Sequence, residues 1–282
     1  DNDEATITIP DNDNAIVSIN DPAAVTEGTN IVFTITLDSE VEGGFTLAYN
    51  TNTGTATGGG SDYNNASGTI TFAGTENEEH EITITTINDN LLESTESFAL
   101  ILGAISNTTA DVTVSGSNGE GTGIINDNDA ASLTISDVVI TEGEDAEFEV
   151  KLSGNVQGSF TIDYASADVS ATDAGGDYSN NSGTLTFAGT DGESHIISIS
   201  TNDDSYLETV ENFVVNLSSV SNVLVTFDNQ GSATLNDNDS AELTVSDQTV
   251  TEGGNISYTI TLNANVQGAF TIDYEKSNAS AL

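Results

Sequence analysis

Hydrophobic and polar residues take turns along much of the chain. Ile31, Phe33, Ile35 and Leu37 alternate with Val32, Thr34 and Thr36, and the same period of two returns at Ile82 and Ile84, at Leu185 and Phe187, and at Ile197 and Ile199. Successive side chains of a strand point to opposite faces, so each run predicts a strand with one face buried. Gly, Asn, Asp and Ser bound the runs, as turns require. Helical periodicity is absent at any length.

The strand pattern itself repeats. Thr26-Glu27-Gly28 returns as Thr141-Glu142-Gly143 and Thr251-Glu252-Gly253, at offsets of 115 and 110 residues. Val41 to Tyr49 matches Val156 to Tyr164 and Val266 to Tyr274, and Ser67 to Thr75 matches Ser182 to Thr190. In the first repeat, strands are expected near 15–26 (A), 29–38 (B), 44–52 (C), 67–73 (D), 80–87 (E), 96–105 (F) and 112–125 (G). About seven short strands in about 110 residues predict an all-β fold of tandem immunoglobulin-like, Greek-key β-sandwiches. Phe33, Phe45, Phe72 and Phe98 are the expected core.

Ile125-Asn126-Asp127-Asn128-Asp129 closes the first repeat, and Leu235-Asn236-Asp237-Asn238-Asp239 closes the second. Pro10-Asp11-Asn12-Asp13 is a weaker copy. Four segments result: 1–14, the tail of a preceding repeat with a strand near 6–9; 15–129, repeat 1; 130–239, repeat 2; and 240–282, a partial third repeat with strands A to C. Together with the missing initiator Met, they are expected to form part of a longer protein.

Charge narrows the function. The chain of 282 residues has 46 acidic and 2 basic residues, a net charge of −44. Lys151 and Lys276 cannot neutralise a phosphate backbone or an anionic membrane surface, so neither nucleic acid nor direct membrane insertion is expected. With no Cys, disulfides and thiolate metal sites are excluded. Self-repulsion of this size calls for salt or bound cations.

Strand parity sorts the carboxylates. If strand A runs up, the A–B, C–D and E–F connections and the residues after G share one end. That end collects Glu27, Asp62, Asp89, Glu93, Glu96, Asp127 and Asp129 in repeat 1. In repeat 2 it collects Glu142, Asp177, Asp203, Asp204, Glu208, Glu211, Asp237 and Asp239. Two unit charges 4 Å apart repel by about 4 kcal/mol at an effective dielectric of 20, so such a cluster needs cations. All-oxygen ligands on loops suit Ca²⁺ better than Mg²⁺, which demands strict octahedral geometry. Glu76, Glu78, Glu79 and Glu81 lie in the D–E loop at the opposite end and are expected to be incidental charges. His80 and His195 begin strand E at that end, far from any nucleophile, so no catalysis is expected.

Thr-Glu-Gly near the start of a repeat, Asp62-Tyr63 in its middle, the run from Asn88 to Phe98 with Asp89, Glu93 and Glu96, and the Asp-rich end after strand G resemble the Calx-β domain. The resemblance spans two full repeats and part of a third. It implies an immunoglobulin-like sandwich binding several Ca²⁺ ions at one tip, as in sodium–calcium exchangers, an integrin and large microbial surface proteins. The family's ligands would fall on Glu27, Asp62, Asp89, Glu93, Glu96 and Asp127 and their counterparts in repeat 2. Asn126 and Asn128, like Asn236 and Asn238 in repeat 2, interrupt the family's usual run of Asp, and Asn88 replaces another, which implies fewer or weaker ions.

These readings point to a stalk segment of a large secreted or cell-surface, adhesin-like protein, with Ca²⁺ rigidifying the joints. Its expected partners are calcium ions, neighbouring repeats, and cell-surface or matrix ligands reached through other domains. The alternatives are a calcium-sensing module, as in the exchangers, and a non-catalytic accessory region of a secreted enzyme.

Overall fold

A computed structural model describes residues 7, 13–116 and 119–277. Apart from Ile7, the strand expected near 6–9 lies outside the described residues. The chain divides into two compact units, Asp1–Ala130 and Ala131–Leu282. Every regular element among the described residues is a strand, and no helix is long and apolar enough to cross a membrane.

The first unit contains β1 (Asn14–Ile19), β2 (Val25–Thr26), β3 (Ile31–Leu37), β4 (Phe45–Thr53), β5 (Ser67–Phe72), β6 (Glu79–Ile84), β7 (Leu91–Leu92), β8 (Glu96–Ser106), β9 (Asp111–Val114) and β10 (Glu120–Asn126). One sheet has the order β6-β3-β1-β9, the other β2-β10-β8-β4-β5. In the second unit follow β11 (Ser132–Ile135), β12 (Val138–Thr141), β13 (Asp145–Ser153), β14 (Asn155–Val156), β15 (Phe160–Asp168), β16 (Ser182–Phe187), β17 (Ser194–Ser200), β18 (Tyr206–Leu207), β19 (Glu211–Ser218), β20 (Thr226–Phe227) and β21 (Gln230–Asn236). Its sheets are β17-β13-β11-β20 and β12-β21-β19-β15-β16, the same arrangement.

Strands A and G, each expected as one strand, are in fact each divided between the two sheets. After β1 the chain crosses to the other sheet and runs parallel to the end of β10 as β2, with Val25 opposite Ile125. An aspartate bridges each crossing: Thr122 N–H donates to Asp21 Oδ1 at 2.7 Å, and Ser232 N–H donates to Asp137 Oδ1 at 2.8 Å. In repeat 1, Pro22 adds a residue that cannot donate to a ladder. Strand G likewise begins as β9, parallel to β1, and continues as β10, antiparallel to β8. The inward parity shifts at a crossing, from Leu133 and Ile135 to Val138 and Ile140 and from Val112 and Val114 to Gly123 and Ile125, but each half alternates within itself, so the pattern alone did not reveal the change of sheet.

The expected core residues Phe33, Phe45, Phe72 and Phe98 are all buried. Phe33 meets Phe98 edge-on, and Tyr63 stacks on Phe98 with ring centroids 4.1 Å apart. Phe148, Phe213 and Tyr178 repeat this group, with Tyr178 stacked on Phe213 at 4.3 Å. A buried tyrosine thus pins each long C–D loop to the core and places the preceding Asp62 or Asp177 at the tip.

The opposite end corrects another expectation. Glu78 is no incidental charge: its carboxylate accepts hydrogen bonds from the N–H groups of Ala73 and Gly74, each at 2.9 Å, and lies 2.9 Å from His80 Nε2. Glu193 does the same for Ala188, Gly189 and His195. Burial alone would raise both carboxyls, but these donors outweigh it and hold them below the ordinary range. Each histidine ring in turn stands edge-on to a core ring, Phe72 or Phe187. The repeated Glu-x-His therefore fastens the D–E turn.

Of the third repeat, β22 (Leu243–Val245) and β23 (Ile260–Leu262) pair antiparallel, and β24 (Asn265–Val266) pairs parallel with β18 of repeat 2. The expected strand C does not form, and Phe270, Ile272 and Tyr274 are exposed. A strand needs a ladder neighbour, and the D and F segments that flank C in the other repeats have no counterpart in 240–282.

Candidate metal centre

The tip of repeat 1 is assembled by three turns and one strand end. Glu27 follows β2, and its N–H donates to Asn126 O at the end of β10 at 3.0 Å. Gly28 then turns with φ +74°, and a Cβ there would lie 3.0 Å from Asn88 Cβ. Only glycine fits both demands, so the Thr-Glu-Gly turn packs closely on the E–F loop. In repeat 2, Gly143 has φ +81°, and a Cβ would meet Asp203 at 2.9 Å.

These contacts bring the carboxylates together as two triads in each repeat. Glu27, Asp89 and Asp129 form one, Asp62, Glu93 and Glu96 the other, and within each triad the candidate ligand oxygens lie within 4.8 Å of one another. Repeat 2 groups Glu142 with Asp237 and Asp239, and Asp177 with Glu208 and Glu211, within the same limit. Backbone N–H groups hold several of these side chains in place. Asp62 Oδ2 accepts from Thr57 N–H and Asp177 Oδ2 from Thr172 N–H. Asp127 Oδ1 and Asp237 Oδ1 accept from the N–H groups of Asp129 and Asp239.

The remaining oxygens face a problem. Glu27 is only 7 % exposed and its Oε1 has no hydrogen-bond donor; Glu211 is 8 % exposed and its Oε2 has none. Asp129 Oδ2 and Asp239 Oδ2 are buried without donors as well. Ionised carboxylates are acceptors only, so facing carboxylates cannot satisfy one another. Each buried acceptor left unmet costs about 1–3 kcal/mol. The charge balance responds accordingly. Burial first, and then the negative charge of Asp129, push Glu27 up to about 7. Burial, followed by Glu211, pushes Glu208 up to about 7. Burial also raises Glu142, Glu211 and Asp239. A hard cation bound by several oxygens would remove both the missing donor and the repulsion, and the donor set fits one.

Every carboxylate expected at the tips lies there, but not all join a triad. Asp127 lies beside Glu27 and adds to its negative surroundings. Asp203 Oδ1 accepts from Asn238 Nδ2 at 2.9 Å, and Asp204 Oδ1 accepts from Tyr206 N–H at 2.7 Å. In repeat 1 the first of these bonds recurs between Asn128 Nδ2 and Asn88 Oδ1, also at 2.9 Å. The interrupting asparagines thus brace the E–F loop. Sequence reasoning passed over Gln267, whose amide reaches Glu211; its signal was the repeated Val-Gln-Gly at 156–158 and 266–268.

The Calx-beta domain matches residues 11–129 and again 125–249. The chain belongs to the Calx-beta family. Its two matched Calx-beta domains lie in tandem, with the expected all-β sandwich fold. Among solved structures, CBD12 from CALX1.2 is 17% identical, with 78% of this chain and 98% of that chain covered and a TM-score of 0.37. The apo form of the Calx CBD1 domain is 21% identical, with 41% of this chain and 98% of that one covered and a TM-score of 0.36. Calx CBD2 is 17% identical, covers 39% and 85%, and has a TM-score of 0.33. A search of curated proteins gave no match. These Calx-beta domains carry acidic clusters that could hold a metal ion.

Proposed function

We propose that this tandem Calx-beta segment binds Ca²⁺ at the tip of each repeat and serves as a non-catalytic stalk of a secreted or cell-surface adhesin-like protein. One observation carries the calcium reading: each tip gathers carboxylate triads and leaves a buried glutamate oxygen, Glu27 Oε1 or Glu211 Oε2, without a donor. The ligands are Glu27, Asp62, Asp89, Glu93, Glu96 and Asp129 in repeat 1, with Asp127 beside them. In repeat 2 they are Glu142, Asp177, Glu208, Glu211, Asp237 and Asp239, with Asp203 and Asp204 beside them. Mg²⁺ suits these flexible loops less well.

The stalk reading rests on the joint. Strand β10 ends at Asn126 and β11 begins at Ser132, so five residues, 127–131, join the repeats. Asp127 and Asp129 lie within those five, so an ion held with them would stiffen the connection. A calcium-sensing module is the second reading, favoured by membership of the Calx-beta family. Small-angle scattering of the full chain with and without Ca²⁺ tests the stalk. Chelation should broaden its distance distribution, and Asp127→Asn with Asp129→Asn should do the same at this joint. A distribution indifferent to both would contradict the stalk.

A further inference from the structure

The E–F loop of repeat 2 is more than a ligand carrier: it is also where the third repeat docks. Strand β18 lies between Asp204 and Glu208, and β24 of the third repeat pairs with it in parallel, Tyr206 opposite Asn265 and Leu207 opposite Val266. Gln267 N–H continues the ladder to Leu207 O at 2.8 Å. The Gln267 side chain then turns toward the tip. Its Oε1 accepts from Thr209 Oγ1 at 3.0 Å and from Thr209 N–H at 3.3 Å, and its Nε2 donates to Glu211 Oε1 at 2.9 Å. Thr209 thereby fixes which end of the amide faces the glutamate. The Glu211 oxygen that Gln267 leaves alone, Oε2, is the buried one with no donor, in the triad with Asp177 and Glu208.

We propose that Gln267 is a positioning residue for this triad, so that docking of the third repeat and cation binding at Asp177, Glu208 and Glu211 strengthen each other. The inference rests on the calcium reading. A neutral amide is suited to the role: it anchors one oxygen without bringing a positive charge that would compete with the cation, and leaves the other free to bind. Both events order the same loop, from Asp204 to Glu211, and whichever comes first spares the other that cost. The coupling is therefore reciprocal.

Amide hydrogen exchange of the full chain, followed through a Ca²⁺ titration, tests this. Segment 203–211 reports the coupled tip, 264–268 the docking strand, and 88–96 the equivalent loop of repeat 1 as an internal reference. In the native chain Ca²⁺ should protect all three. With Gln267→Ala, the midpoint at 203–211 should move to about tenfold higher Ca²⁺ while 88–96 is unchanged. Thr209→Val, which frees the amide without removing it, should shift the same midpoint by less. If Ca²⁺ protects both tips but neither variant moves the 203–211 midpoint, or both tips shift alike, the coupling is overturned and the calcium reading stands. If Ca²⁺ protects neither tip of the native chain, the calcium reading itself fails and takes the coupling with it.

Discussion

The two tips share a plan and differ in how they leave their glutamates. In repeat 1 the Thr-Glu-Gly glutamate, Glu27, keeps Oε1 buried without a donor and rises to about 7. In repeat 2 its counterpart Glu142 has Oε1 satisfied by the Asn238 N–H at 3.0 Å, which opposes the effect of burial. There the unmet glutamate oxygen belongs instead to Glu211, in the other triad. The joint-side triads also draw on different loops. That of repeat 1 takes Asp89 from the E–F loop, whereas that of repeat 2 takes both Asp237 and Asp239 from the strand end. One backbone N–H thus relieves Glu142 where Glu27 Oε1 has no donor, although the repeated sequences are nearly the same there.

The largest difference should come from removing strand-end charges one at a time. Asp237 is in a triad and Asp127 is not. Asp237→Asn should lower Ca²⁺ affinity at its own tip by tenfold or more, and Asp127→Asn by only a few-fold, as read by titration calorimetry. Equal losses would mean that the tips are not built differently.

Next comes stability without metal. Glu27→Gln removes a buried charge and supplies an N–H₂ facing Asp129. It should stabilise calcium-stripped repeat 1 by about 1–3 kcal/mol in denaturant unfolding, while weakening Ca²⁺ binding. Glu142→Gln should gain less, because Asn238 already serves that glutamate. A larger gain at Glu142 would reverse the comparison.

The pH dependence follows from the same groups. Between pH 4.5 and about 7 the unfolded chain has released the protons of Glu27 and Glu208, while the folded, metal-free tips still hold them. The folded state binds more protons there, so calcium-stripped protein should lose stability as pH rises through this window and level off above it. Saturating Ca²⁺ should abolish or reverse the trend, since metal displaces those protons. Flat stability across the window without Ca²⁺ would show that burial and the neighbouring charges do not raise these carboxyls as described.

Asn88→Asp should have the smallest effect. It copies Asp203 into repeat 1 and retains an acceptor for Asn128. Ca²⁺ affinity at the first tip should rise a few-fold.

The sequence carried the fold far because alternation, the Phe positions and the repeats are local signals. Strand parity also places Glu27, Asp62 and the E–F acids at one end, although it cannot divide them into triads. What escaped depended on contacts between distant residues. The crossings at Asp21 and Asp137 are fastened by the N–H groups of Thr122 and Ser232, far along the chain. Glu78 looked like one surface charge among several until its bonds to Ala73, Gly74 and His80 were visible. The role of Asn238 depends on a backbone N–H, which no side-chain pattern reports.

Thermal unfolding of the full chain in chelator, in millimolar Ca²⁺ and in millimolar Mg²⁺ tests the calcium account most directly. Ions that bind only the folded tips at 100 times their dissociation constant add about 2.7 kcal/mol. The account predicts a melting temperature about 5–10 °C higher in Ca²⁺ than in chelator, with a smaller rise in Mg²⁺. Superimposable curves in Ca²⁺ and chelator would contradict it.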